Sequence, residues 1–225
     1  MQRELHSHHC IVEEPRRPAQ PQPLLVMLHG YGSNEEDLIG LAPYLDGRCR
    51  VVSVRAPLAL PQGGFAWFPI EYTPVGLAID RQEALGAARA VAGLVRDLVD
   101  RYGAAPEATL LLGFSQGAGI ALAAALGDPD LVAGVASLSG LVLRDTIPPS
   151  GEARKALAGL PVLMTHGVGD PLIPIKRARA SHDLVAQLPV DLTWREYDMG
   201  HEISGACLEH LAVWVAQRLG GAPVT

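Results

Sequence analysis

At Thr109-Leu110-Leu111-Leu112-Gly113-Phe114-Ser115-Gln116-Gly117 an uninterrupted apolar run ends in the pattern G-x-S-x-G. The run over 109–112 has the character of a strand buried on both faces. The segment after Gln116 is rich in small residues, with Gly119, Ala121, Ala123, Ala124 and Ala125 suited to a helix packed closely on a sheet. A serine at such a strand-to-helix turn takes a strained backbone conformation, and its hydroxyl projects from the sheet edge. Glycine two residues to either side lets neighbouring backbone pass without a clash. The helix start also brings free N–H groups and a positive dipole end beside Ser115. Five letters alone arise by chance. Strand, turn and helix in this order are a stronger signal and mark Ser115 as a candidate nucleophile.

Working outward, similar apolar runs recur at Leu24–Leu28, Arg50–Val54, 133–138, 161–165 and Asp191–Tyr197, with helical signals between them. Asp80 and Glu83 stand at capping-box spacing, and Leu85, Ala88, Ala92, Val95 and Val99 follow at three- and four-residue steps. Gly103 is placed to end that helix. A further helix is expected over about 176–188 and a last one around Leu208, Leu211, Val215 and Leu219. Strands alternating with helices imply an α/β fold with a mainly parallel, doubly wound sheet, whose sites form at the carboxyl ends of the strands. A single domain over residues 1–225 is expected. Within it, 1–23 would supply an edge strand from Leu5 to Glu13 and a proline-rich connector from Pro15 to Pro23. The stretch from Arg55 to Ala78 fits no element and reads as a long loop, which leaves no room for a large cap domain.

The chain of 225 residues is 48% hydrophobic and 19% charged, a globular composition, and its formal net charge is −6. No basic surplus favours nucleic acid or an anionic membrane. No apolar run approaches the roughly eighteen residues that a membrane-spanning helix needs. The N-terminal residues lack the apolar stretch of a signal peptide, and Cys10, Cys49 and Cys207 are too few and scattered for a disulfide framework. A reduced, cytoplasmic protein is the expectation.

A serine hydroxyl near neutral pH needs a base to take its proton as it attacks. Downstream of Ser115, His166 and His201 stand in loop contexts, whereas His182 and His210 fall inside expected helices. His201 follows the strand Asp191–Tyr197 in the loop Asp198-Met199-Gly200, late in the chain, where a nucleophile–acid–base order needs its base. His166 precedes the turn Gly167-Val168-Gly169-Asp170 and is better suited to holding it. Asp170, directly after the strand over 161–165, can reach an imidazole N–H and fix its tautomer. Asp198 lies too near His201 on one loop to orient the ring. Asp145, Asp183 and Asp191 read as surface residues. After the first central strand comes His29-Gly30-Tyr31-Gly32, a glycine-rich loop whose Tyr31 amide, together with that of Gln116, would receive a developing oxyanion.

The chain resembles the phospholipase/carboxylesterase family of small α/β-hydrolases, which includes bacterial carboxylesterases and acyl-protein thioesterases. The resemblance is carried by Leu28-His29-Gly30-Tyr31-Gly32, Ala66-Trp67-Phe68, Gly113-Phe114-Ser115-Gln116-Gly117, His166-Gly167 through Asp170-Pro171, and Met199-Gly200-His201-Glu202. These stretches lie in the family's order along nearly the whole chain. The resemblance implies the α/β-hydrolase fold and a Ser115–Asp170–His201 triad working without metal or cofactor. It implies hydrolysis of short- to medium-chain acyl esters or thioesters, and Trp67 and Leu172 lining the substrate cleft. Ala118 stands where many members carry a second glycine, and Pro69 where an acidic residue is usual.

Three other readings compete. His6, His8, His9 and Cys10 suggest a metal site, but no carboxylate or second cluster completes a zinc pattern, so a plain strand is favoured. A hydrolase fold can also serve as a binding module without catalysis. Peptidases of this fold usually carry extra domains, and this chain has none to offer. The partner expected is a small-molecule acyl ester, with a homodimer left open.

Overall fold

A computed structural model of the chain describes residues 2–5, 8–73, 76–148 and 150–220. Eight strands build the central sheet: β1 (Gln2–Leu5), β2 (His8–Glu13), β3 (Leu24–Leu28), β4 (Arg50–Val54), β5 (Thr109–Phe114), β6 (Gly134–Leu138), β7 (Pro161–Gly167) and β8 (Asp191–Tyr197). Their spatial order is β1-β2-β4-β3-β5-β6-β7-β8. The pairs β1–β2 and β2–β4 are antiparallel. Every other neighbouring pair is parallel, so only β2 runs against the rest. The carboxyl ends of β3 through β8 therefore share one edge, and β5 lies in the middle of them. The longer helices are α1 (Arg81–Tyr102), α2 (Gln116–Gly127), α3 (Ile175–Val185) and α4 (Gly205–Arg218).

Alternation along the central strands divides the core into two layers. Leu24, Val26 and Leu28 of β3, Leu111 of β5 and Val135 of β6 join α1 and α2 in one cluster. Leu25 and Met27, Leu110 and Leu112, and Ala136 and Leu138 turn the other way and meet Leu211, Trp214 and Val215 of α4. All five residues of β3 are buried, as a strand covered on both faces requires. Helix α2 is buried from Gln116 through Leu126, which explains why its sequence is apolar all round.

Helix α1 has the ends its sequence announces. The Asp80 carboxylate accepts from the amides of Gln82 and Glu83 at 2.7 and 3.0 Å. Gly103 takes a left-handed φ of 58°, and the amide of Ala104 bonds back to the carbonyl of Val99 at 3.0 Å.

Two expectations need correction. The N-terminal strand is present as β2, but it is not the edge, because β1 pairs outside it. His6 lies outside the described residues. The stretch from Arg55 to Ala78 is not one long loop: Leu58–Ala59 pairs with Phe65–Ala66, and Ile70–Thr73 with Gly76–Ile79. Strands of two to four residues are too short to show alternation in sequence, and Gly63 and Gly64, at φ 97° and 74°, supply the reversal in the first pair. These pairs are small, and among the described residues no large cap covers the sheet. Among the described residues no helix is long and apolar enough to cross a membrane. Cys10, Cys49 and Cys207 are free and buried, and burial pushes the thiols of Cys10 and Cys49 up to about 12.

Replacing Asp80 with Ala removes the only side-chain cap of α1 and should destabilise the protein by about 1 kcal/mol. Urea unfolding would measure this. An unchanged midpoint would mean that the first turn of α1 does not depend on its cap.

Candidate active site

Ser115 follows β5 directly and precedes α2, with φ 54° and ψ −114°. A non-glycine residue in this region carries strain of about 1–3 kcal/mol, so its surroundings must over-determine it. They do so through backbone contacts. The Ser115 amide donates to the carbonyl of Leu138 at 2.8 Å, and its carbonyl accepts from the amide of Ala118 at 3.1 Å. A Cβ on Gly113 would fall 2.2 Å from the carbonyl oxygen of Gly117, and one on Gly117 would fall 2.2 Å from that of Leu28. Glycine is needed at both positions because backbone passes within contact. Ala118, where the family often has glycine, is accommodated from the opposite side: a Cβ on Gly140 would lie 2.5 Å from the Ala118 methyl.

The loop after β8 carries His201 across the sheet edge to this turn. A Cβ on Gly167 would come within 2.3 Å of the Gly200 carbonyl oxygen and 2.4 Å of that of Met199, so the end of β7 must be bare for the loop to cross. His201 Nε2 stands 2.9 Å from Ser115 Oγ, and its Nδ1 stands 2.6 Å from Asp170 Oδ2. The Phe114 ring packs against the imidazole at 5.0 Å between centroids. With Asp170 ionised, Nδ1 carries the hydrogen and Nε2 accepts from the serine hydroxyl.

Asp170 is buried, and its other oxygen, Oδ1, accepts from the amides of Leu172 and Ile173, each at 2.8 Å. Burial raises the affinity of this carboxyl for a proton. The hydrogen bonds from Ile173, His201 and Leu172 outweigh that effect and hold the group below the ordinary Asp value. His166 is fully buried, with Nε2 at 2.8 Å from the Ile173 carbonyl and 3.3 Å from Asp170 Oδ2. It closes the turn that presents the acid. The alternatives sit elsewhere. Asp198 is exposed, His182 is engaged by Asp183 at 3.0 Å, and His210 meets the Tyr197 hydroxyl at 3.0 Å.

Beside the turn lies the loop after β3. A Cβ on Gly30 would stand 3.3 Å from the Cβ of Ser115. His29 is fully buried, and burial lowers the proton affinity of its ring despite the nearby carbonyl of Gly30 and carboxylates of Asp37 and Glu35. Its Nε2 accepts from the Ala56 amide at 3.0 Å, so Nδ1 bears the hydrogen and donates to the Gly30 carbonyl at 2.7 Å. Carbonyl and N–H of one trans peptide point in opposite directions. Fixing the Gly30 carbonyl therefore fixes the direction of the Tyr31 N–H. Gln116 is the first residue of α2, and its amide has no acceptor within the helix.

No local pattern in the chain announces how this loop is braced. Ser33 and Phe65 share a short antiparallel bridge, with the Gly32 amide 2.9 Å from the Phe65 carbonyl and the Phe65 amide 2.8 Å from the Ser33 carbonyl. Arg55 donates from Nε to buried Glu35 at 2.6 Å and lies over the Phe65 ring at 4.6 Å. Burial alone would raise the Glu35 carboxyl, but the Arg55 hydrogen bonds hold it below its usual range. Trp67 departs from the expected role. Its side chain is only 3% exposed, and its indole N–H is spent on the His29 carbonyl at 2.8 Å, so it holds a loop and does not offer a face to a cleft. Leu172, by contrast, is 66% exposed, next to the acid. Pro69 is exposed.

Residues 7–218 match the model of a family described as Phospholipase/Carboxylesterase. The chain belongs to that family. A probable carboxylesterase of Oryza sativa subsp. japonica is 30% identical over 220 residues, covering 89% of this chain and 91% of its own. Acyl-protein thioesterase 1 of Gibberella zeae is 32% identical over 128 residues, covering 56% of this chain and 54% of the relative. The match thus spans about half the length of that thioesterase. A carboxylesterase structure from Mesorhizobium loti superposes with TM-score 0.82 at 22% identity, covering 96% and 98% of the two chains, a likeness of fold. The mainly parallel sheet with its flanking helices is the α/β-hydrolase fold.

Because Asp170 titrates lower in the folded chain than in the unfolded one, the unfolded chain takes up this proton first as pH falls. Its contribution to stability is complete above the unfolded Asp value of about 3.9 and is lost as pH drops through the folded value. Urea midpoints followed downward from about pH 5 should therefore fall more steeply for the wild type than for Asp170→Asn. Parallel curves would show that the carboxylate is not preferentially held ionised.

Proposed function

We propose that this chain is a serine carboxylesterase acting on short- to medium-chain acyl esters through an acyl-enzyme. The observation that carries the reading is the hydrogen-bonded line from Ser115 Oγ through His201 to Asp170, at 2.9 and 2.6 Å, on a strained strand-to-helix turn. Family membership and the carboxylesterase names of relatives support the same class of chemistry.

In this reading Ser115 Oγ attacks the ester carbonyl carbon while His201 Nε2 takes its proton. Asp170 keeps the imidazole in the accepting tautomer and stabilises the cation that forms. Negative charge gathers on the former carbonyl oxygen, which the amides of Tyr31 and Gln116 receive. The tetrahedral intermediate collapses as the carbon–oxygen bond to the leaving alkoxide breaks, and His201 returns the proton to it. Water then attacks the acyl-Ser115 ester with its proton passing to His201, and the carboxylic acid departs as Ser115 regains its hydrogen. No metal or cofactor enters this sequence.

A thioester would pass through the same steps with a thiolate as leaving group, and the thioesterase names among the relatives make it the second substrate class to try. Absence of a large cap and the exposed side chains of Val168 and Leu172 near the acid favour small, accessible acyl groups over long enclosed chains.

A fluorophosphonate probe should label the wild type at Ser115 and leave Ser115→Ala unlabelled, and that variant should lose at least about a thousandfold in kcat on a butyryl ester while keeping its unfolding midpoint. Turnover across acetyl, butyryl, octanoyl and palmitoyl esters should peak before palmitoyl. Retained activity in Ser115→Ala would defeat the mechanism, and a palmitoyl optimum would defeat the substrate class.

A further inference from the structure

The second variable letter of the G-x-S-x-G turn is not idle. Gln116 is 8% exposed, and its side chain points away from solvent to a neighbouring backbone. Its Oε1 accepts from the Trp67 amide at 2.9 Å, and its Nε2 donates to the Phe68 carbonyl at 2.8 Å. One primary amide thus meets a donor and an acceptor on consecutive residues. Trp67 then passes the constraint on, because its indole N–H holds the carbonyl of His29 at 2.8 Å while its ring rests against the His29 imidazole, 5.6 Å between centroids. That imidazole fixes the Gly30 carbonyl and with it the peptide plane of the Tyr31 N–H. The amide of Gln116 itself lies at the other end of this path.

We propose that the Gln116 side chain and the Trp67 indole act as one positioning unit that sets the separation and aim of the two amides, Tyr31 and Gln116, that receive the oxyanion. This rests on the esterase reading above. A single residue then contributes twice: its backbone is a donor, and its side chain registers the opposing donor against it. Buried polar groups of this kind hold geometry firmly because breaking one bond leaves its partner unsatisfied in low dielectric. Misplacement of an oxyanion donor costs most in the transition state, where the charge is largest, and little in substrate binding.

The experiment compares Gln116→Ala, Gln116→Glu, Trp67→Phe and the Gln116→Ala/Trp67→Phe double variant on a butyryl ester, beside Ser115→Ala. Each single loss, Gln116→Ala or Trp67→Phe, should reduce kcat about ten- to hundredfold with KM changed less than about threefold. Gln116→Glu keeps the acceptor for the Trp67 amide but sets a carboxylate oxygen against the Phe68 carbonyl and adds negative charge beside the oxyanion, so its kcat should fall at least as far as that of Gln116→Ala. The double variant should be no more than about threefold worse than the poorer single, since both act through one path. The Ki of an alkyl trifluoromethyl ketone, which forms a tetrahedral adduct on Ser115, should rise by the same factor as KM/kcat. A brace that only stabilises the fold would lower the unfolding midpoint without this parallel. Unchanged kcat in the single variants, losses that multiply, or losses confined to KM would overturn the proposal. If Gln116→Ala does not fold, Trp67→Phe and Gln116→Glu decide it by the same criteria. Should Ser115→Ala stay active, the esterase reading itself fails. If Ser115→Ala is inactive while the Gln116 and Trp67 variants turn over fully, only the positioning unit is wrong.

Discussion

The site depends on how closely backbone can approach backbone at the centre of the sheet. Between Gly117 and the carbonyl of Leu28 there is no room for a methyl group, and none between Gly113 and the carbonyl of Gly117. That contact lets α2 start directly over β3 and β5, with the intervening serine held at a positive φ. The strain is local, while the restraint is spread over the parallel strands to either side. The same principle returns at Gly167, where a bare strand end lets the loop from β8 cross over β7 and bring His201 to the serine. Three side chains far apart in sequence meet because the backbone between them is thin at chosen points.

Near the serine, buried Asp170, Glu35 and His29 each take their charge state from their hydrogen-bond partners, whereas the buried Nδ1 of His166 has none among the described residues. Asp170 remains a carboxylate because two amides share one oxygen and His201 takes the other. Glu35 is kept charged by a guanidinium that also covers an aromatic ring. His29 is kept neutral, with one nitrogen donating and the other accepting, which suits a residue whose task is to hold a peptide plane. Two of these groups are anionic and one is neutral, and each state follows from what its atoms touch.

Much of this was legible in the chain. Continuous apolar runs marked β3 to β6 because strands covered on both faces need no alternation, and the ends of α1 followed from Asp80 and Gly103. The order of Ser115, Asp170 and His201 could be read because each stands just beyond a recognisable strand. What escaped was non-local or too short to leave a period. The outer position of β1 depends on pairing with β2, which no composition announces. The small strands between Arg55 and Ala78 are set by Gly63, Gly64 and the bridge from Phe65 to Ser33. The cleft role of Trp67 came from the family resemblance alone, which carries no information on where its side chain is bonded. Its indole instead satisfies a carbonyl nearly forty positions upstream.

The turn that presents Asp170 also decides what can vary around it. Leu172 gives its amide to the acid while its side chain faces solvent, so one residue is bound through its backbone and free through its substituent. Divergence at this rim can proceed by exchanging side chains at 172 without disturbing the carboxylate. Insertion or deletion of even one residue between 170 and 173 would pull a donor from the oxygen it serves. The chemistry of the rim is thus open to drift, and its length is not.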